Sequence, residues 1–94
     1  MKKKTQNPEL KALMLIPGVG KSIAMDLYKL GIRQLDDLKG KNPNQLYEQS
    51  NRLAKTVQDP CLLYTFRCAV YFAETEVHLQ EPVKLKWWYW KDGK

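Results

Sequence analysis

Between Leu10 and Gly31 an apolar helical pattern stops at Ile16-Pro17-Gly18-Val19-Gly20-Lys21-Ser22 and then starts again. Leu10, Leu13 and Met14 before the break, and Ile23, Leu27 and Leu30 after it, recur at the three-and-four spacing of one helical face. The pattern predicts two short helices joined by a hairpin. Pro17 lacks an amide hydrogen and has a fixed φ, so the first helix, opened by Asn7-Pro8-Glu9, stops at about Leu15. Gly18 and Gly20 admit positive φ and place no side chain between backbone and ligand. Val19 is the turn residue that can bury itself between the helices. Lys21 and Ser22 open the second helix, whose first amides have no intrahelical acceptors and whose dipole end is positive. A turn of this kind is a natural anion seat.

Ile16, Pro17, Gly18, Val19 and Gly20 resemble the helix-hairpin-helix motif: an apolar residue, a variable residue, then Gly, apolar, Gly. The resemblance implies that hairpin amides hold one phosphate of a DNA backbone without reading bases. Carried onto this chain, the phosphate-binding set is Pro17, Gly18, Val19, Gly20, Lys21, Ser22 and Ile23, with Lys21 adding charge. Some members of that family also bind a monovalent cation through hairpin carbonyls. A second reading stays open, because a tight turn between packed helices needs glycine for steric reasons alone. Gly20-Lys21-Ser22 also fits the end of a nucleotide-binding P-loop, but that motif's first glycine would fall at Leu15 and no strand precedes it.

Ninety-four residues make one domain with an adequate core. No apolar run is long enough to span a membrane, and Met1-Lys2-Lys3-Lys4 leads into no signal-like segment, so a cytoplasmic protein is expected. The net charge of +6 sits mainly at the ends: Lys2, Lys3 and Lys4 at one, and Lys84, Lys86, Lys91 and Lys94 against Glu81 and Asp92 at the other. Basic ends either raise nonspecific attraction to nucleic acid or solubilise the chain. Cys61 and Cys68 fall about 10 Å apart along a helix axis, too far for a disulfide. They read as small apolar residues of a reducing compartment. With His78 they are too few for a recognised metal spacing. No acid pair or Cys-His dyad is evident, so neither catalysis nor a cofactor is expected.

Gly31 is placed for the left-handed cap of the second helix, and Ile32 packs back onto the pair. Residues 34–39 read as a short connector helix, with Leu35 and Leu38 inward and Asp36 and Asp37 outward. Asn42-Pro43-Asn44-Gln45 starts a helix to Leu53 that buries Leu46, Tyr47 and Leu53. Asp59-Pro60 starts the last, apolar nearly all round from Cys61 to Ala73, and so central or covered on its second side. This order resembles the double helix-hairpin-helix domain, in which two units grip both strands across a minor groove. The fold expected is all-α: a compact five-helix double helix-hairpin-helix-like, or SAM-domain-like, bundle. Its second turn, 55–59, has no glycine and carries Asp59, so it is degenerate and cannot form the same cradle. One hairpin alone implies nonspecific affinity of roughly 10⁻⁴ to 10⁻⁶ M.

The tail, 82–91, sets four aromatics among lysines. Lys84, Lys86, Trp88, Trp90 and Lys91 are the candidates for auxiliary contacts to nucleic acid or a partner, by stacking on exposed bases. The competing reading folds the tail over the last helix with its lysines outward, as core material for a small chain. The organisation expected is a disordered basic segment 1–6, a helical domain 7–80 and a Trp/Lys-rich tail 81–94.

Residues 59–71 and the tail 85–92 look like the pathogenicity-locus family of small bacterial helix-hairpin-helix proteins, which carries a mitomycin-resistance label. The resemblance implies a link to DNA damage. Residues 10–73 are also similar in plan to the C-terminal domain of the bacterial competence regulator family. The function expected is non-catalytic, sequence-nonspecific binding of the DNA backbone, weak on duplex unless helped by the tails, a dimer or a protein partner. The alternative is a helical protein–protein interaction module in which the hairpin is purely structural, and RNA is a third partner the same hairpin would serve.

Overall fold

The computed structural model describes residues 8–91. The expected disorder of 1–6, the Lys2 to Lys4 run, the Asn7 cap and residues 92–94 lie outside the described residues. The regular structure described is all helical: α1 (Pro8–Leu13), α2 (Lys21–Lys29), α3 (Pro43–Ala54) and α4 (Pro60–Glu74), with 3₁₀ turns at Leu35–Leu38, Val77–Leu79, Pro82–Leu85 and Trp87–Trp90.

α1 is shorter than the expected run to Leu15, because the chain tightens before Pro17. Leu15 N–H donates to Ala12 O at 3.2 Å and Ile16 N–H to Leu13 O at 3.1 Å, three residues back rather than four. The tightening turns Met14 and Leu15 out to 43% and 69% exposure and brings Ile16 into the core beside Leu13. Met14, expected on the buried face, is therefore a surface residue. α2 ends as expected: Gly31 takes φ +93°, and Ile32 N–H reaches back to Leu27 O at 3.0 Å while its side chain is buried.

The connector is 3₁₀, and Asp37 does not simply face outward. Its carboxylate accepts the Arg33 and Gln34 amides at 2.9 and 3.2 Å and caps the turn. In α3, Asn42 Oδ1 accepts the Asn44 and Gln45 amides at 2.9 and 3.4 Å. Leu46 is buried there, but Leu53 is 58% exposed and the polar Ser50 takes an inward position instead.

α4 is the central element. Asp59 Oδ1 accepts the Cys61 amide at 2.8 Å, and Pro60 follows at the first helical position. Leu62, Phe66, Ala69 and Val70 join Leu13, Ile16, Leu27, Ile32 and Leu38 in a single core, where each large side chain contributes about 1.5–3 kcal/mol. Thr65, also buried, donates its hydroxyl to Cys61 O at 2.9 Å and so leaves no unmet polar group.

The other side of α4 is covered by the tail. Arg67 Nη1 donates to Trp90 O at 2.8 Å, and Trp90 Nε1 donates to Lys84 O at 2.9 Å. The Trp90 ring lies 5.6 Å from that of Tyr71. Gln80 Nε2 donates to Phe72 O and Thr75 O at 3.1 and 2.9 Å, satisfying carbonyls at the end of α4. Cys68 is sealed beneath this cover, and burial pushes its thiol up to about 11. Lys86 and Lys91 face outward as expected, but Lys84 turns in and pairs with Glu81 at 3.0 Å. Among the described residues no helix is long and apolar enough to cross a membrane.

Candidate nucleic-acid interface

The turn between α1 and α2 is built by backbone geometry rather than by side-chain bonds. Gly18 takes φ +83°, a left-handed conformation that L side chains adopt only with strain. Val19 is 6% exposed and pins the turn to the core, its amide donating to Ile16 O at 3.0 Å. Gly20 is the N-cap of α2, in extended conformation, and has no side chain with which to cap. The next amide to find an acceptor is that of Ala24, bonded to Gly20 O at 2.9 Å. Between them the amides of Gly20, Lys21, Ser22 and Ile23 meet no acceptor among the described residues. Pro17 and Ile23 are half-buried, Lys21 and Ser22 are exposed, and no acid stands in the first turn of α2.

The turn between α3 and α4 is closed by contrast. Lys55 takes the left-handed conformation, φ +60°, that glycine would otherwise supply. Gln58 then consumes the polar groups around it: its amide donates to Asn51 Oδ1 at 3.0 Å, its side chain to Ser50 Oγ and Asn51 Oδ1 at 2.9 and 3.1 Å, and its carbonyl accepts from Tyr47 OH. Ser50 and Gln58 were missed in the sequence because neither belongs to an apolar pattern; the only signal was a run of polar residues across α3 and the turn.

The two turns share one open cleft, lined by Gly18, Ile23, Asp26, Gln58, Asp59 and Cys61 together with Trp87. Its electrostatics are mixed. Burial raises the Asp26 carboxyl above its ordinary range while Lys29 opposes the shift, whereas the Cys61 amide holds Asp59 low and charged. The tail forms a wall of this cleft beside the hairpin: a Cβ built on Gly18 would lie 3.5 Å from Trp87 Cδ1 and 4.0 Å from Thr65 Cγ2.

Of the tail candidates, Lys84 and Trp90 are held by the internal contacts above. Lys86, Trp88 and Lys91 face solvent, with Trp88 51% exposed. His78 is exposed, 3.7 Å from Glu76, and no set of three or more His, Cys, Asp or Glu is placed to hold a metal among the described residues.

These features define a small all-α protein organised on a glycine hairpin whose following helix starts with open amides. The chain belongs to the Pathogenicity locus family, whose model matches residues 6–94. It is similar to "Mitomycin resistance protein McrB" of Streptomyces lavendulae, with 36% identity over 62 residues, covering 66% of this chain and 59% of that one. The match thus spans less than two thirds of that relative's length. No solved structure matches the chain significantly.

Proposed function

We propose that the protein is a non-catalytic, sequence-nonspecific binder of the DNA backbone, acting in DNA repair or the response to DNA damage. The observation that carries this reading is the contrast among helix starts. Asn42 and Asp59 fill the amides of α3 and α4 with their own side chains, whereas α2 begins on Gly20 and leaves its amides open. Those amides, the positive end of the α2 dipole and exposed Lys21 suit one phosphate oxygen cluster. α1–α2 and α3–α4, with the 3₁₀ turn at Leu35–Leu38 between them, are then the two units of a five-helix double helix-hairpin-helix domain, the second being degenerate. The shared cleft beside both turns supports that pairing. The place in damage response rests on the family resemblance and on a relative named for mitomycin resistance.

The test is fluorescence-anisotropy titration of a short labelled duplex at several salt concentrations. Weak binding is expected, with a logarithmic salt slope of about one per phosphate contacted, and with equal loss on every sequence in Gly20→Asp. No binding at low salt would refute the reading. The second reading, a protein–protein interaction module, has support in the exposed apolar Val77, Leu79 and Val83. It predicts an association that salt does not weaken.

A further inference from the structure

The tail aromatics are not equivalent. Trp87, Tyr89 and Trp90 are half-buried against the domain, while Trp88 stands 51% exposed. Its exposure is not that of a loose end. Trp88 meets Trp87 edge to face, with ring centroids 5.6 Å apart at 88°, and the 3₁₀ turn carrying both is tied to α4 through Trp90 O and Arg67. Lys86 Nζ lies 5.7 Å from the Trp88 ring centroid. Lys86 thus sits over one face of a fixed, half-exposed indole. An exposed aromatic ring paired with a cation is what single-strand binders use, because every base has a π-face and a lysine that swings off the ring meets the adjoining phosphate.

The position matters as much as the chemistry. Trp87 Cδ1 faces Gly18, 3.5 Å from where a Cβ would stand, and the Trp87 ring meets that of Trp88, so Trp87 lies between the hairpin turn and the exposed indole. Trp88 thus stands one indole away from the hairpin turn, where a base of a strand held by the hairpin would meet it. In intact duplex that base is already stacked and has no face to offer. We propose that Trp88 is a stacking platform for an unpaired base, so that the protein prefers DNA in which one strand leaves the duplex beside the hairpin-bound phosphate. The proposal rests on the hairpin reading above.

Three labelled DNAs test it by anisotropy: a blunt duplex, the same duplex with a short single-stranded overhang, and the single strand alone. Each is titrated with the full chain, with Trp88→Ala and with Gly20→Asp, after circular dichroism has shown that the variants are folded. The overhang DNA is expected to bind roughly tenfold more tightly than the blunt duplex. Trp88→Ala should bring it down to the blunt-duplex level, and Trp88→Phe should keep part of the advantage. Equal affinity for blunt and overhang DNA, or an overhang preference that survives Trp88→Ala, overturns the platform and leaves the hairpin reading standing. A Trp88-dependent preference untouched by Gly20→Asp overturns the hairpin reading and the coupling proposed here. Binding of none of the three overturns both.

Discussion

Gly20 and Asp59 occupy the same position, the N-cap, of the two helices that border the cleft, and they leave opposite surfaces. Asp59 folds its carboxylate onto the Cys61 amide at 2.8 Å, whereas Gly20 has no side chain to do so at α2. Gly20→Asp should copy the closed arrangement at the open one. The backbone is extended there and a new Cβ meets no atom within 4 Å. Thermal stability should hold or rise by a few tenths of a kcal/mol, measured by calorimetric melting, while the carboxylate occupies the seat proposed for phosphate.

Gly18 behaves differently, and the two glycines should not be exchanged together. At φ +83°, Gly18→Ala should cost about 1–2 kcal/mol of stability from backbone strain alone. The melting midpoint should then fall by about 4–8 °C per kcal/mol for a domain of this size. Urea unfolding of the two single variants side by side checks the contrast.

Asp26 sets a pH dependence whose sign follows from its environment. Burial raises its folded pKa, with Lys29 opposing, so the folded state binds the proton more readily than the unfolded chain does. The charged carboxylate therefore costs stability at neutral pH, and the cost fades as pH falls through the raised value. Asp26→Asn should be more stable than the wild type at pH 7, with the difference gone by about pH 3. Urea midpoints at the two pH values read it directly.

Trp88 and Trp90 should separate in stability. Trp90 lies against Tyr71, donates to Lys84 O and receives the Arg67 bond on its carbonyl. Trp90→Ala should fall in the lower part of the about 3–5 kcal/mol that core aromatics cost, since the ring is only half-buried. Trp88→Ala should change stability by no more than about 0.5 kcal/mol. Chemical denaturation of both variants measures the difference.

The features legible in the sequence were those set within a few residues. Pro17 and the two hairpin glycines mark the turn, Asn42 and Asp59 cap the following helices, and Gly31 with Ile32 closes α2; each acts through local backbone chemistry. Positions decided across the fold were not legible. Met14 was expected inside because its spacing is helical, but the tightening after Leu13 hands its place to Ile16. Leu53 was expected inside on the same ground, yet the inward position goes to Ser50, which Gln58 partners from the next turn. At the candidate site the hairpin residues were readable from their pattern. The Trp87 wall beside Gly18 was not, because nothing local ties residues so far apart in the chain.

That wall also orders events in time. Trp87 leaves the ribosome roughly seventy residues after the hairpin, several seconds later at about 5–20 residues per second. Until then α4 has no cover over Cys68 and the glycine turn has no backing. A nascent chain therefore displays the bare hairpin, together with the apolar flank of its longest helix, to whatever nucleic acid or chaperone stands at the tunnel exit. Only when the aromatic tail emerges does the domain close.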